Sequence, residues 1–286
     1  MKKIISFLLL VIFFISVSNA QKLEKSLLWE ISGNGLEKPS YLFGTIHITC
    51  DATLSKKVKD ALDKTTQVVL EVDIDDPMLQ AKMMKGMMMK DGKTLNDFVS
   101  DAEYTRIDSL FINNMGMSVG MFKNIKPTLL SSMLIPKLLD CQMQSVEMEL
   151  VKVAKEQKEE VKGLETIEYQ MTVFDQIPYE DQIQELLRSS KDNLAHDKAV
   201  ITTMLEVYKS EDISRMLEMM SEDETSILSK YQSIMLDTRN KNWISGITKF
   251  SKEQPTFFGV GAGHLAGDNG VIKLLRKLGY RVTAVK

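Results

Sequence analysis

Histidine and cysteine, the side chains that most often carry chemistry, are scarce here: three histidines and two cysteines among 286 residues. No His-Glu-x-x-His sequence occurs, which excludes the helix-borne zinc site of many peptidases. An excess of charge of one sign is also lacking. With 36 basic and 39 acidic residues the net charge is −3, so nucleic acid is not an expected partner. After the first twenty residues no apolar run reaches the roughly 20 residues a membrane span needs, and none is expected there. The two cysteines, Cys50 and Cys141, allow one disulfide in an oxidising compartment or two buried free thiols. Cys50 follows His47 by three residues, but a turn after a strand would carry the two side chains apart and disfavours a shared metal.

The first twenty residues read as a signal peptide. Lys2 and Lys3 precede an apolar stretch from Ile4 to Val17, and Ser18-Asn19-Ala20 is a small-residue cleavage site. An uncleaved signal anchor is the alternative. No cysteine lies there to take a lipid. Residues 21–286 are then expected to form a single exported domain, periplasmic or secreted and soluble after cleavage, of open oligomeric state.

Two of the three histidines close similar stretches more than two hundred residues apart. Tyr41-Leu42-Phe43-Gly44-Thr45-Ile46-His47 is a strand-like run ending in Gly-x-x-His. Thr256-Phe257-Phe258-Gly259-Val260-Gly261-Ala262-Gly263-His264 repeats the design. Ligands of open α/β sheets gather at the carboxyl ends of strands, where such histidines would project. Imidazole there suits a divalent ion or acid–base work. His196, the third, sits among Asn193, Leu194, Ala195 and Asp197 and is expected on the surface.

The remaining pattern is α/β. Leu28–Ser32 and Tyr41–His47 form a hairpin around Gly33-Asn34-Gly35. A helix is expected over residues 54–64. Gln67–Asp73 is a β-branched strand carrying Glu71, an acid that is costly to bury without a partner. Helical stretches run over about 75–158 and 168–251, separated by a short strand that leads to Glu165-Thr166. Methionine is dense in the first stretch, at Met83, Met84, Met87, Met88, Met89, Met115, Met117 and Met121. Flexible core filling is the expected role, with an adaptable binding surface the alternative. Arg239 and Trp243, four apart, share a helix face. Phe257–Gly261, a helix from Val271 to Leu278, Gly279 and Tyr280–Val285 make a strand–helix–strand unit with parallel strands.

Five of these segments together resemble the TraB/GumN family, which includes the Tiki proteins. They are Tyr41–His47, Val69-Leu70-Glu71, Gly163-Leu164-Glu165-Thr166, Asp237–Trp243 and Gly259–Leu265. They keep the family's order and cover nearly the whole chain after residue 20. The resemblance implies an α/β core with a large helical part, paired Gly-x-x-His motifs and, by way of the Tiki proteins, metal-dependent proteolysis. The expected fold is a central mixed sheet from N- and C-terminal strands with a Met-rich helical insertion or lid. The expected function is an exported metal-dependent hydrolase, most simply a peptidase acting on a peptide or protein. His47, Glu71 and His264 would hold a divalent ion (zinc, manganese or cobalt), Glu165 would be the general base, and Arg239 would hold an oxyanion or carboxylate. All are expected to meet at one sheet edge. The alternatives are a metal-independent His/Glu hydrolase of esterase type and a non-catalytic exported protein that binds a peptide or small acid.

Overall fold

The computed structural model describes residues 23–224 and 226–286; the expected signal peptide lies outside the described residues. Six strands form one sheet: β1 Leu28–Ser32, β2 Ser40–Thr45, β3 Gln67–Val72, β4 Glu160–Glu165, β5 Phe257–Gly261 and β6 Arg281–Ala284. Their order is β4-β3-β5-β2-β1-β6. β3 pairs in parallel with β4 and β5, and β5 with β2. β1 is antiparallel to both β2 and β6. Strands β2 to β5 therefore deliver their carboxyl ends to one edge. β6 runs parallel to β5 as expected, but two strands lie between them.

Burial explains the sheet. Every residue of β2 and β3 is buried, as continuous apolar strands covered on both faces should be. The hairpin turn uses left-handed backbone at Gly33, Asn34 and Gly35. Helix α1 Lys56–Leu62 precedes β3. Helices α2 Leu79–Gly86, α3 Asp101–Met115, α4 Pro127–Leu134 and α5 Val146–Gln157 separate β3 from β4. Between β4 and β5 lie α6 Ile167–Phe174, α7 Tyr179–Lys191, α8 Ala195–Lys209, α9 Ile213–Glu222, α10 Ile227–Lys230 and α11 Thr238–Glu253. Helix α12 Val271–Lys277 leads to β6.

The helical stretches do two jobs. Leu95, Ile107, Phe111, Leu130 and Leu186, from α3, α4, α7 and the loop before α3, build a core separate from the sheet's. Leu150 and Val151 of α5 and Trp243 and Ile247 of α11 belong instead to the sheet core. Part of each stretch thus packs on the sheet and is not lid. The methionine expectation holds in part: Met89 is buried and Met83 and Met115 pack against buried clusters, whereas Met84 and Met121 are 61% and 69% exposed. Helix α2 fully buries no residue, and of its methionines Met83 packs against the small cluster of Val72, Ile167 and Met171.

A disulfide joins Cys50 to Cys141, which resolves the cysteine alternatives. Beside it Thr49 and Gln144 pair as an isolated antiparallel bridge. Together they fasten the loop after His47 to the segment entering α5. Among the described residues no helix is long and apolar enough to cross a membrane.

Candidate active site

The two Gly-x-x-His motifs lie side by side because β2 and β5 are neighbours, with Gly44 opposite Val260 and Thr45 opposite Gly261. Gly44 has a steric reason to be glycine. A Cβ there would stand 2.8 Å from Leu265 Cδ1 and 3.1 Å from Ala262 Cα, so the first motif rests directly on the second. Gly261 is close to the chemistry: its amide donates to Glu71 Oε1 at 2.7 Å, and a Cβ would meet that oxygen at 3.2 Å.

At the carboxyl edge Glu71, Glu165, Arg239 and His264 form one buried cluster. Arg239 is its hub. Its Nη2 donates to Glu71 Oε2 and to Glu165 Oε1, each at 2.6 Å. Its Nε donates to Glu165 at 3.0 Å, and its Nη1 to the Met235 carbonyl at 3.0 Å. The guanidinium lies over Trp243, 4.8 Å from the ring centroid, and the Trp243 indole donates to Glu165 Oε2 at 2.7 Å. A π-helical turn, Ser233–Asp237, runs directly into α11. Such turns recur at functional sites, and this one places Arg239 and Asn240 against the sheet.

The His264 tautomer follows from its neighbours. Asn240 Nδ2 donates to the carbonyls of His264 and Asn269 at 3.3 and 2.9 Å, which leaves Asn240 Oδ1 as the acceptor. His264 Nδ1 lies 2.6 Å from that oxygen and so carries a proton. Its Nε2 then offers a lone pair, 3.3 Å from Arg239 Nη1 and 3.7 Å from Glu71 Oε1. Burial holds the His264 pKa well below the ordinary imidazole value, against the pull of Glu71. For Glu71 burial again opposes charge, but His264, Arg239, His47 and the Gly261 amide outweigh it and hold its carboxyl well below the usual range. The two residues cannot both draw on one proton. The contacts of His264 are those of a neutral ring, so Arg239 and Gly261 keep Glu71 ionised.

His47 stands apart. Its side chain is 66% exposed, and its Nδ1 lies 2.7 Å from Glu147 Oε1 in the first turn of α5. That hydrogen bond raises its pKa to about 9. His47 acts on Glu71 and His264 through charge and makes no hydrogen bond to either. His196 is exposed.

The expected donor set suits a divalent ion in chemistry at His264, a neutral ring with a free Nε2, and at the ionised Glu71, whereas His47, with its pKa raised to about 9, must give up a proton before its Nε2 can bind. In arrangement it is incomplete: among the described residues no three His, Cys, Asp or Glu side chains converge closely enough to hold an ion. Glu165, expected as the general base, has both oxygens engaged by Arg239 and Trp243, which suits it to aiming Arg239. Two residues were missed in the sequence, Glu147 and Asn240. Asn240 adjoins Arg239 in a segment already singled out. Glu147 is one acid of many in an amphipathic helix and gives no signal of its own.

The sequence profile of the TraB/PrgY/gumN family matches residues 27–284. Metalloprotease TIKI1 of Danio rerio is 21% identical over 312 residues, covering 90% of this chain and 62% of its own. Metalloprotease TIKI2 of Xenopus tropicalis is 21% identical over 313 residues, covering 90% of this chain and 59% of its own. The chain thus spans about three fifths of the length of these relatives. No solved structure matches significantly.

Proposed function

The chain belongs to the TraB/PrgY/gumN family, and from that premise we propose that it is an exported metal-dependent hydrolase of the peptidase type. The observation that carries the reading is the buried pair at the sheet edge. His264 is fixed by Asn240 with its Nε2 3.7 Å from Glu71 Oε1, and a neutral imidazole beside an ionised carboxylate is the donor chemistry of a catalytic divalent site. His47 would complete the set. An ion held by His47, Glu71 and His264 would lower the pKa of a bound water and polarise a scissile carbonyl. Zinc, manganese and cobalt all suit such ligands.

Arg239 supplies a fixed positive charge beside the pair, suited to a developing oxyanion or a substrate carboxylate. Glu165 and Trp243 keep it aimed. The TIKI relatives are named metalloproteases, which favours a peptide or protein substrate. The Cys50–Cys141 disulfide fits an oxidising compartment, and so supports export.

The test is metal analysis of the purified protein with His47→Ala and His264→Ala beside it, followed by peptide hydrolysis with and without a chelator. Stoichiometric divalent metal that both variants lose is the expected result. A wild type that takes up no divalent ion at micromolar concentration refutes the reading. A second reading, metal-independent hydrolysis by His and Glu, draws on one observation: Arg239 Nη1 already faces the His264 lone pair. Activity that persists in chelator and rises with pH near a histidine pKa would select it.

A further inference from the structure

Both Gly-x-x-His histidines meet a side-chain oxygen through Nδ1, His264 in a hydrogen bond and His47 in an ion pair. For His264 the partner is the Asn240 amide oxygen, at 2.6 Å. For His47 it is Glu147 Oε1, at 2.7 Å. Each ring therefore has only Nε2 left to present. Glu147 is itself 8% exposed, and among the described residues His47 is the only basic side chain paired with it. Keeping a carboxylate charged at that depth is costly without compensation. The local structure supplies it: Ser145 Oγ donates to Glu147 Oε2 at 2.7 Å, and the first turn of a helix favours negative charge. The Cys50–Cys141 disulfide and the Thr49–Gln144 bridge hold the His47 loop against this turn.

We propose that Glu147 is a positioning residue: it fixes His47 through Nδ1 so that Nε2 alone faces the reaction centre, as Asn240 does for His264. The proposal rests on the reading of both histidines as metal ligands. Partners behind a ligating histidine set its tautomer and ring orientation, and their loss typically costs about 10–100-fold in metal affinity. Glu147 is charged and Asn240 neutral, so His47 is the stronger donor of the two.

Two measurements test this. The first is ¹⁵N NMR of the histidine rings in metal-free full-length protein, comparing wild type with Glu147→Ala, Glu147→Gln and Asn240→Ala. A proton on His47 Nδ1 is expected in wild type. Glu147→Ala should shift only the His47 ring, and Asn240→Ala chiefly the His264 ring. The second is zinc affinity by competition with a chromogenic chelator. Glu147→Ala should lose about 10–100-fold, and Glu147→Gln, which keeps an acceptor, should lose less. A buried carboxylate of purely structural role would move stability and leave both readouts unchanged.

His47 ring signals that coincide in wild type and Glu147→Ala would overturn the proposal, as would zinc affinity within twofold of wild type in a folded variant. If Glu147→Ala does not fold, the wild-type spectrum decides, and a bare Nδ1 on His47 overturns the proposal. A wild type that binds no zinc removes the metal reading, and the ring spectra then still judge Glu147.

Discussion

Replacing Arg239 with methionine removes the cation that serves Glu71 and Glu165 together. Both contacts are 2.6 Å, and Glu71 and Arg239 are each 8% exposed. Breaking a buried pair by deleting one partner costs about 3–5 kcal/mol, because the remaining charge is left uncompensated. At about 2–4 °C per kcal/mol for a chain of this size, Tm should fall by roughly 10 °C. The pH dependence carries the sharper test. In wild type the Glu71 pKa is depressed, so its contribution is present above the unfolded value of about 4.3 and lost as pH falls through the lower folded value. Without Arg239, burial acts unopposed by that charge and raises the Glu71 pKa. The variant should then suffer most at pH 7 and recover part of the loss at pH 5. Urea unfolding in chelator at both pH values measures this, with Glu71→Gln added as a second change. The double variant should be more stable than Arg239→Met alone at pH 7. A loss below about 1 kcal/mol, well under the buried-pair range, or an equal loss at both pH values, would refute the account of Arg239 as the charge that keeps Glu71 ionised.

Other outcomes follow from the same structure. Replacing Cys50 and Cys141 with serine opens a bridge with a sequence separation of 91, for which the loop-entropy relation gives about 4–5 kcal/mol of lost stability, read by urea unfolding. The His47 pKa is raised to about 9 by its hydrogen bond to Glu147. The stability it adds should be complete below its unfolded pKa of about 6.5 and decline as pH rises through 9. Solvent screening keeps the amplitude small, and Glu147→Gln should flatten the slope in unfolding curves between pH 6 and 10. Gly44→Ala forces a methyl to within 2.8 Å of Leu265 Cδ1, and overpacking of that kind costs about 1–3 kcal/mol. Calorimetry should show the loss, and a structure of the variant should show the second motif displaced.

Local pattern was enough for much of this molecule. The runs Leu28–Ser32 and Phe257–Gly261 are strands at those bounds, because apolar and β-branched residues between turn formers have few other uses. Glu71 and Arg239 were also legible, as charges set among residues that must be buried. The pairing between them was not, since it depends on which strand ends meet across 168 residues of chain. His47 and His264 look alike in sequence, yet one is 66% exposed and the other 6%. The difference arises from the loop after β2, which the disulfide fastens to α5, and no periodicity encodes that. The methionines divided, Met83, Met89 and Met115 reaching a core while Met84 and Met121 stay exposed, because size and hydrophobicity describe what a residue can fill and say nothing of whether a cavity awaits it.

The position of β5 in the sheet has a consequence for how the chain comes together. β2 and β3 are complete by residue 72, but they never pair with each other; β5, beginning at Phe257, inserts between them. A chain emerging from the amino terminus must keep two apolar strands apart, with their facing edges open, while nearly two hundred residues, mostly helix but including β4, are made. Pairings so distant in sequence form slowly and leave sticky intermediates exposed. The strand that joins the two halves of the sheet also delivers His264, so the histidine reaches Glu71 only when the middle of the sheet is shut. Assembly of the centre and joining of the two halves of the sheet are then a single event, and a chain cut short before residue 257 would lack both.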